Sequence, residues 1–468
     1  MSLEGFYLLP HPPIALSEIG KGEEEKISST CESMYAVGKD IRQKAPKTII
    51  LITPHGAMFE DAIALSDEDE IYGDFKDFNA PLVSMKLPLN RALTNTIYEL
   101  ANKEEIPAVL VTKELLSDYN EPFLLDHGAM VPLYFINQYY KDYQLVHITY
   151  APLDDISLYR FGMVIQRAVD RLKEKAVVIA SGDLSHRLKK EGPYQYNPLG
   201  PKFDKEFLDL LSQGDTLGIL SMDKETISGA GECGRRSVLV LLGTLDGKKF
   251  KGELLGYEGT FGVGYGIMKF NRLSDGESVL NKLEELKRER QEKKKHQKNP
   301  YVRLARESLT YYLETRRMLD TLPDYVTEEM RKDQRGVFVS LKKDGELRGC
   351  IGTIYPCTEC IAKEIIRNAV EAGIYDPRFH EVEEEELLDI DFSVDVLTEP
   401  ISCSREELDP KQYGVIVKSK GRTGLLLPNL EGIDTVEEQL AIALKKAGIE
   451  PRETYAVQKF SVIRHKEE

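Results

Sequence analysis

The chain has 468 residues, too many for a single hydrophobic core, and this predicts two to three domains. Its 41% hydrophobic and 30% charged residues are the balance of a water-soluble globular protein, and no run nears the roughly 20 apolar residues needed to cross a bilayer. A formal charge of −16 opposes bulk binding to phosphate backbones, so neither nucleic acid nor a membrane is expected as a partner.

The first residues, MSLEGFYLLPHPP, lack the basic start and long apolar core of a secretion signal. The 6 cysteines are few for this length and are read as thiols rather than disulfides, which predicts a cytoplasmic protein.

Residues 1–275 alternate β-like runs with helical stretches. TIILIT (48–53), AVLVT (108–112), LVHITY (145–150) and AVVIAS (176–181) are continuously apolar or β-branched, as strands buried on both faces are. Helix-compatible segments lie between them, over roughly 22–44, 89–103, 128–140 and 156–173. This βαβ order predicts an α/β domain whose mainly parallel sheet is flanked by helices. KGELLGYEGTFGVGYGIMKF (251–270) is rich in glycine and aromatics and predicts extended structure closing the domain.

Residues 276–299 become a charge run, read as a solvated linker helix because acidic residues interrupt the basic ones. Residues 300–468 mix helices with hairpins. YVRLARESLTYYLETR, ECIAKEIIRNAVEAGIYD and TVEEQLAIALKKAGI read as helices. GVFVSLKKDGELRGCIGTIY turns at Asp344-Gly345, and GVIVKSKGRTGLLLP is a second hairpin. DIDFSVDVLTEP and a final YAVQKFSVIRH read as single strands. The prediction is an α+β domain around an antiparallel sheet.

Three of the 8 histidines follow apolar runs: FYLLP ends at His11, TIILITP at His55 and AVVIASGDLS at His186. Beyond the carboxyl ends of parallel strands they would converge on one crevice, where imidazole serves as metal ligand or proton shuttle. Two imidazoles and one anion make the facial triad of non-haem Fe(II). Glu232, in Gly231-Glu232-Cys233-Gly234, is the first candidate for the anion, and Cys233 is its rival. Spacing does not separate Fe(II) from Zn, and Cu is a further alternative. His186 and His127 suit acid–base work beside the metal. His147, mid-strand, reads as a satisfied core residue, and Tyr72 and Phe78 are candidates for a substrate entrance.

LLPHPP, TPHG, DHGAMVPL, SGDLSH and GECGRRSVLVLLG, in this order, resemble the class III extradiol dioxygenase superfamily of LigB-like and Memo-like proteins over roughly residues 3–272. The resemblance implies Fe(II) on His11, His55 and Glu232, with His186 as acid–base catalyst and His127 hydrogen-bonding near substrate and oxygen. It implies a small aromatic or phenolic substrate. Memo-like relatives have Cys-Gly-Arg where this chain has Glu-Cys-Gly-Arg, which keeps Cys233 in play.

In the second domain Leu347-Arg348-Gly349-Cys350-Ile351-Gly352 sets a cysteine between glycines, and the nearby Arg348 would favour its thiolate. Cys357 and Cys360, with Cys350 and Cys403, lack the two regular knuckles of a zinc site. LRGCIGTI, AVEAGIYDPRF and VEEQLAIALKKAG resemble the AMMECR family (AmmeMemoRadiSam system protein A) over roughly 300–466. That resemblance implies a radical SAM protein as partner. Two functions therefore stand: an Fe(II)-dependent dioxygenase, or a metal-binding or peptide-binding module working with a radical SAM partner. A homo-oligomer is compatible with either.

Overall fold

The computed structural model describes residues 3–295, 297–343, 346–430 and 433–467. The chain divides into two compact units between Glu285 and Leu286.

The first unit opens with β1 (Leu3–Leu9), α1 (Ser28–Lys44), β2 (Thr48–Thr53) and β3 (Ile63–Ser66). A separate hairpin, β4 (Glu70–Phe75) and β5 (Ala80–Pro88), follows, then α2 (Arg91–Lys103) and β6 (Ala108–Val111). Next come α3 (His127–Asn137), β7 (Gln144–Thr149), α4 (Asp155–Leu172) and β8 (Ala176–Ser181). After α5 (Leu199–Gln213) and α6 (Arg235–Gly243), the unit ends on β9 (Lys248–Glu258) and β10 (Tyr265–Asp275).

The main sheet has eight strands in the order β6-β3-β7-β2-β8-β1-β10-β9. Strands β7, β2, β8 and β1 run parallel at its centre, and β9 and β10 pair antiparallel at one edge. Successive side chains of a strand point to opposite faces. Ile50 and Ile52 enter a core with α2, α4, α5 and α6, while Ile49 and Leu51 enter another with α1 and α3. Both faces of β2 are thus covered, which is why TIILIT has no polar alternation.

Asn90, Asp126 and Asp154 start α2, α3 and α4 by accepting backbone N–H groups that the first turn cannot pair. The hairpin β4–β5 was not anticipated from the sequence. It lies outside the main sheet, and only alternate residues of EIYGDF are buried.

The charged segment forms α7 (Val279–Lys295), and the division between the units falls within it. In the second unit α8 (Pro300–Thr315) precedes β11 (Val337–Lys343), β12 (Glu346–Gly352) and α9 (Ile361–Ile374). Then come β13 (Ile390–Leu397), β14 (Ile401–Ser402), β15 (Gly414–Ser419) and β16 (Arg422–Leu426). Helix α10 (Val436–Ala447), β17 (Ala456–Phe460) and β18 (Val462–Lys466) complete it. Asp344 and Gly345, read as a hairpin turn, lie outside the described residues.

The strands form two antiparallel four-stranded sheets, β12-β11-β13-β18 and β14-β17-β15-β16. The run read as one final strand is therefore two, in different sheets. Ser461 is the break: its N–H donates to Thr398 Oγ1 at 2.8 Å, and Thr398 N–H donates back to its carbonyl at 2.9 Å. Both segments change sheets at this pair. Among the described residues, no helix is long and apolar enough to cross a membrane.

Candidate metal centre

Because β1, β2 and β8 are parallel neighbours, their carboxyl ends deliver His11, His55 and His186 to one edge of the sheet. The Nε2 atoms of His11 and His55 are 3.0 Å apart. Cys233, in the loop before α6, puts its Sγ 3.6 Å from His11 Nε2. Among the described residues these three form the one group with metal-ligand spacing, their donor atoms all within 4.8 Å of one another. His11 is buried, Cys233 half-buried and His55 open to solvent, so the cluster is reached from one side.

The tautomer of His11 follows from its neighbour. The Ser181 hydroxyl donates its proton to the Gly128 carbonyl, so Ser181 Oγ, 2.9 Å from His11 Nδ1, must accept there. Nδ1 carries the proton and Nε2 presents a lone pair to the cluster. Burial, reinforced by His55, lowers the His11 pKa to about 3, which keeps the ring neutral. Burial pushes the Cys233 thiol well up, although the Asp183 N–H points at its sulfur from 3.3 Å. A thiolate here is favoured when a cation shares the site. The two nitrogens, 3.0 Å apart, and the Cys233 sulfur, 3.6 Å from His11 Nε2, are close enough to hold one ion between them. The donor set fits a transition metal.

Glu232, the first choice from sequence, does not join this group. Its Oε2 accepts the Arg235 N–H at 2.6 Å, on the first turn of α6. An unpaired helix N–H draws the carboxylate, and the next residue turns its sulfur to the histidines instead.

His186 and His127 flank the cluster. His186 stacks on Tyr194 with ring centroids 5.1 Å apart, and its buried Nε2 has no hydrogen-bond partner among the described residues. His127, the first residue of α3, stacks on His55 at 4.3 Å and touches Phe78 at 5.4 Å. Burial, then His55, lowers its pKa to about 4. Asp183 accepts the His11 backbone N–H at 2.9 Å, and burial raises its carboxyl to about 6. A cavity of about 670 Å³ opens beside His55 and His127, walled in part by Phe59, Phe78 and Phe123. Phe78 thus lines it, while Tyr72 is exposed on β4 and does not.

A family model described as the catalytic LigB subunit of aromatic ring-opening dioxygenase matches residues 5–268. The chain belongs to the LigB family. A second model, AMMECR1, matches residues 302–468, so a LigB domain and an AMMECR1 domain are fused in one chain. Protein CA_C1420 of Clostridium acetobutylicum is 64% identical over the full length of both chains. A Thermotoga maritima protein is 47% identical over 172 residues, covering 36% of this chain and 98% of its own. The crystal structure of the uncharacterized protein PH0010 from Pyrococcus horikoshii has 32% identity and a TM-score of 0.33, covering 35% of this chain and 88% of that one.

Within the LigB domain, sequence reasoning passed over Asp183 and Ser181, which orient His11. Both lie in the quoted run SGDLSH, and a buried carboxylate next to a ligand strand was the available signal. His147 has both ring nitrogens engaged, by Ser66 and by Asp126.

In the AMMECR1 domain Arg348 does not serve Cys350. Its guanidinium donates to Glu386 at 2.6 Å and to the carbonyls of His380 and Glu381, because these groups flank the strand edge. Cys350 instead meets the Ser340 hydroxyl at 3.2 Å, and its N–H donates to Asp376 Oδ2 at 2.9 Å. All 6 cysteines are free, and the four of this domain form no group with metal-ligand spacing among the described residues.

Arg378 holds the Asp376 carboxyl down to about 2 through charge-assisted hydrogen bonds. A depressed carboxyl stabilises the fold above its ordinary pKa of about 4 and loses that contribution as pH falls through the folded value. Amide-exchange protection at Cys350 is therefore expected to drop as pH falls from about 4 through about 2. Asp376→Asn should abolish that step.

Proposed function

We propose that the LigB domain is a metal-dependent oxygenase for a catechol-like or related phenolic molecule, with Fe(II) on His11, His55 and Cys233. The observation that carries this reading is the His11–His55–Cys233 cluster beside an aromatic-walled cavity and a buried, unpartnered His186 Nε2. Bound Fe(II) supplies the Lewis-acid and one-electron chemistry that brings a phenolic and dioxygen together. Phe78 and Phe123 hold the ring and exclude water. His186 takes the phenolic proton at Nε2, for which no described residue competes, and burial, which lowers its pKa, keeps it able to accept at neutral pH. His127 orients the substrate from its stacked position on His55. Free thiols throughout the chain suit work in the cytoplasm.

Oxygen uptake by anaerobically iron-loaded protein, measured with a panel of catechols, tests this. Wild type should consume oxygen with at least one of them, and His186→Gln should be slower by about 10²–10⁴-fold with iron still bound. No uptake by iron-loaded wild type across the panel would sink the proposal.

Cys233 in the third position, where the sequence favoured a carboxylate, together with the fused AMMECR1 domain, favours a second reading. The pocket would then be a metal-binding or peptide-binding module acting with a radical SAM protein, the fusion raising the local concentration of the two parts. Copurification with such a protein, without turnover of any phenolic, would favour it.

A further inference from the structure

The cavity beside the metal cluster carries a second set of reactive groups. Strands β3 and β7 are antiparallel, with Ala64 opposite Thr149 and Leu65 opposite Ile148. That register sets Ser66 opposite His147, and both line the cavity. Ser66 Oγ is 2.8 Å from His147 Nδ1, and His147 Nε2 is 2.9 Å from Asp126 Oδ2. Asp126 is fixed in turn by the Thr53 hydroxyl at 2.6 Å and the Ala129 N–H at 3.1 Å.

Burial alone would raise the Asp126 carboxyl. Hydrogen bonds from His147 and Thr53 outweigh it and hold the group below the usual carboxylate range. The carboxylate is therefore an acceptor only, and Nε2 of His147 must carry a proton toward it. In the neutral ring Nδ1 is then a base, aimed at the Ser66 hydroxyl. The ring is turned relative to the commoner triad, in which Nε2 faces the serine. The proton logic is unchanged, since either nitrogen is basic once the other is held by a carboxylate. Next to Ser66, Ala64, Val111 and Leu116 form a small apolar cluster with Phe59 and Phe123, and all five line the cavity.

We propose that Ser66, His147 and Asp126 are a second, metal-independent reactive centre, which hydrolyses small esters with an apolar acyl group. Ser66 Oγ attacks the acyl carbon and its proton passes to His147 Nδ1, forming a serine ester. The bond to the alcohol breaks, and the alcohol leaves with that proton. Water then attacks the serine ester and gives a proton to Nδ1. The Ser66–acyl bond breaks, Ser66 recovers the proton, and the carboxylic acid departs. Ester and water are the only reactants. The apolar cluster receives the acyl chain.

A fluorophosphonate probe applied to the full chain, with the modified peptide identified by mass spectrometry, tests this alongside hydrolysis of p-nitrophenyl butyrate. The expected result is an adduct on Ser66, absent in Ser66→Ala, with hydrolysis about 10²–10⁴-fold slower in His147→Gln. Both signals should persist after exhaustive chelation, which separates this centre from the metal-dependent reading. Wild type that melts cooperatively yet takes no label at Ser66 overturns the proposal, as does hydrolysis that chelation removes. Should His147→Gln not fold, Asp126→Asn replaces it, and unchanged labelling there is equally fatal.

Discussion

His11→Ala is expected to leave the full chain without bound metal after dialysis, where wild type retains close to one equivalent. The imidazole contributes a lone pair already aimed by the Ser181 hydrogen bond, so no rearrangement precedes binding. Outer partners of metal ligands typically change affinity by about 10–100-fold, and loss of a ligand should exceed that. The absorption spectrum of the cobalt-loaded protein tests the third ligand. Cobalt-loaded wild type and Glu232→Gln should both show a thiolate-to-cobalt charge-transfer band, and Cys233→Ser should not. A band surviving in Cys233→Ser, with metal lost in Glu232→Gln, would return the position to the carboxylate. Metal content by elemental analysis and the absorption spectrum are independent readouts, so a failure to load cannot pass for a change of ligand.

The strand-end histidines were legible because a parallel strand buried on both faces has a plain apolar pattern, and its carboxyl end is where such sheets bind ligands. His11, His55 and His186 could be placed without knowing the strand order. The choice between Glu232 and Cys233 could not be made that way. Adjacent loop residues point in different directions, and what separates them is which one meets the free N–H of Arg235. Pairings between distant residues were also out of reach. Ser66 and His147 are ordinary in isolation, and only the antiparallel register of β3 with β7 brings them together. Likewise the crossing at Ser461 depends on Thr398, 63 residues away. Local pattern reports elements well, whereas register and side-chain direction come from tertiary contacts.

Gly182→Ala should break the metal site without touching a ligand. Gly182 follows β8, and its N–H donates to the Leu9 carbonyl at 3.0 Å, which ties it to the chain leading to His11. A Cβ at Gly182 would lie 2.0 Å from Gly234 Cα and 2.9 Å from Gly234 N. The obstacle is backbone, so no rotamer change relieves it, and one of the two segments has to move. The segment after β8 is held by the sheet on one side, whereas the 231–234 loop belongs to no strand and is tied by single hydrogen bonds, among them the Tyr150 hydroxyl donating to the Cys233 carbonyl at 3.1 Å. The loop therefore yields, and it carries Cys233 away from His11. Its displacement breaks the hydrogen bond from the Cys233 N–H to the Asp183 carbonyl at 3.3 Å, and the one from the Asp183 N–H to the Cys233 sulfur, also at 3.3 Å. Overpacking of this kind costs about 3 kcal/mol. The expected phenotype is a lower thermal midpoint for the LigB domain, together with loss of the thiolate-to-cobalt band. Metal would stay only weakly bound by the two histidines. Gly234→Ala meets the Asp183 carbonyl oxygen at the looser distance of 3.0 Å and should give the same phenotype in weaker form. A Gly182→Ala protein that keeps both the band and the wild-type midpoint would show that this backbone contact does not position the thiolate.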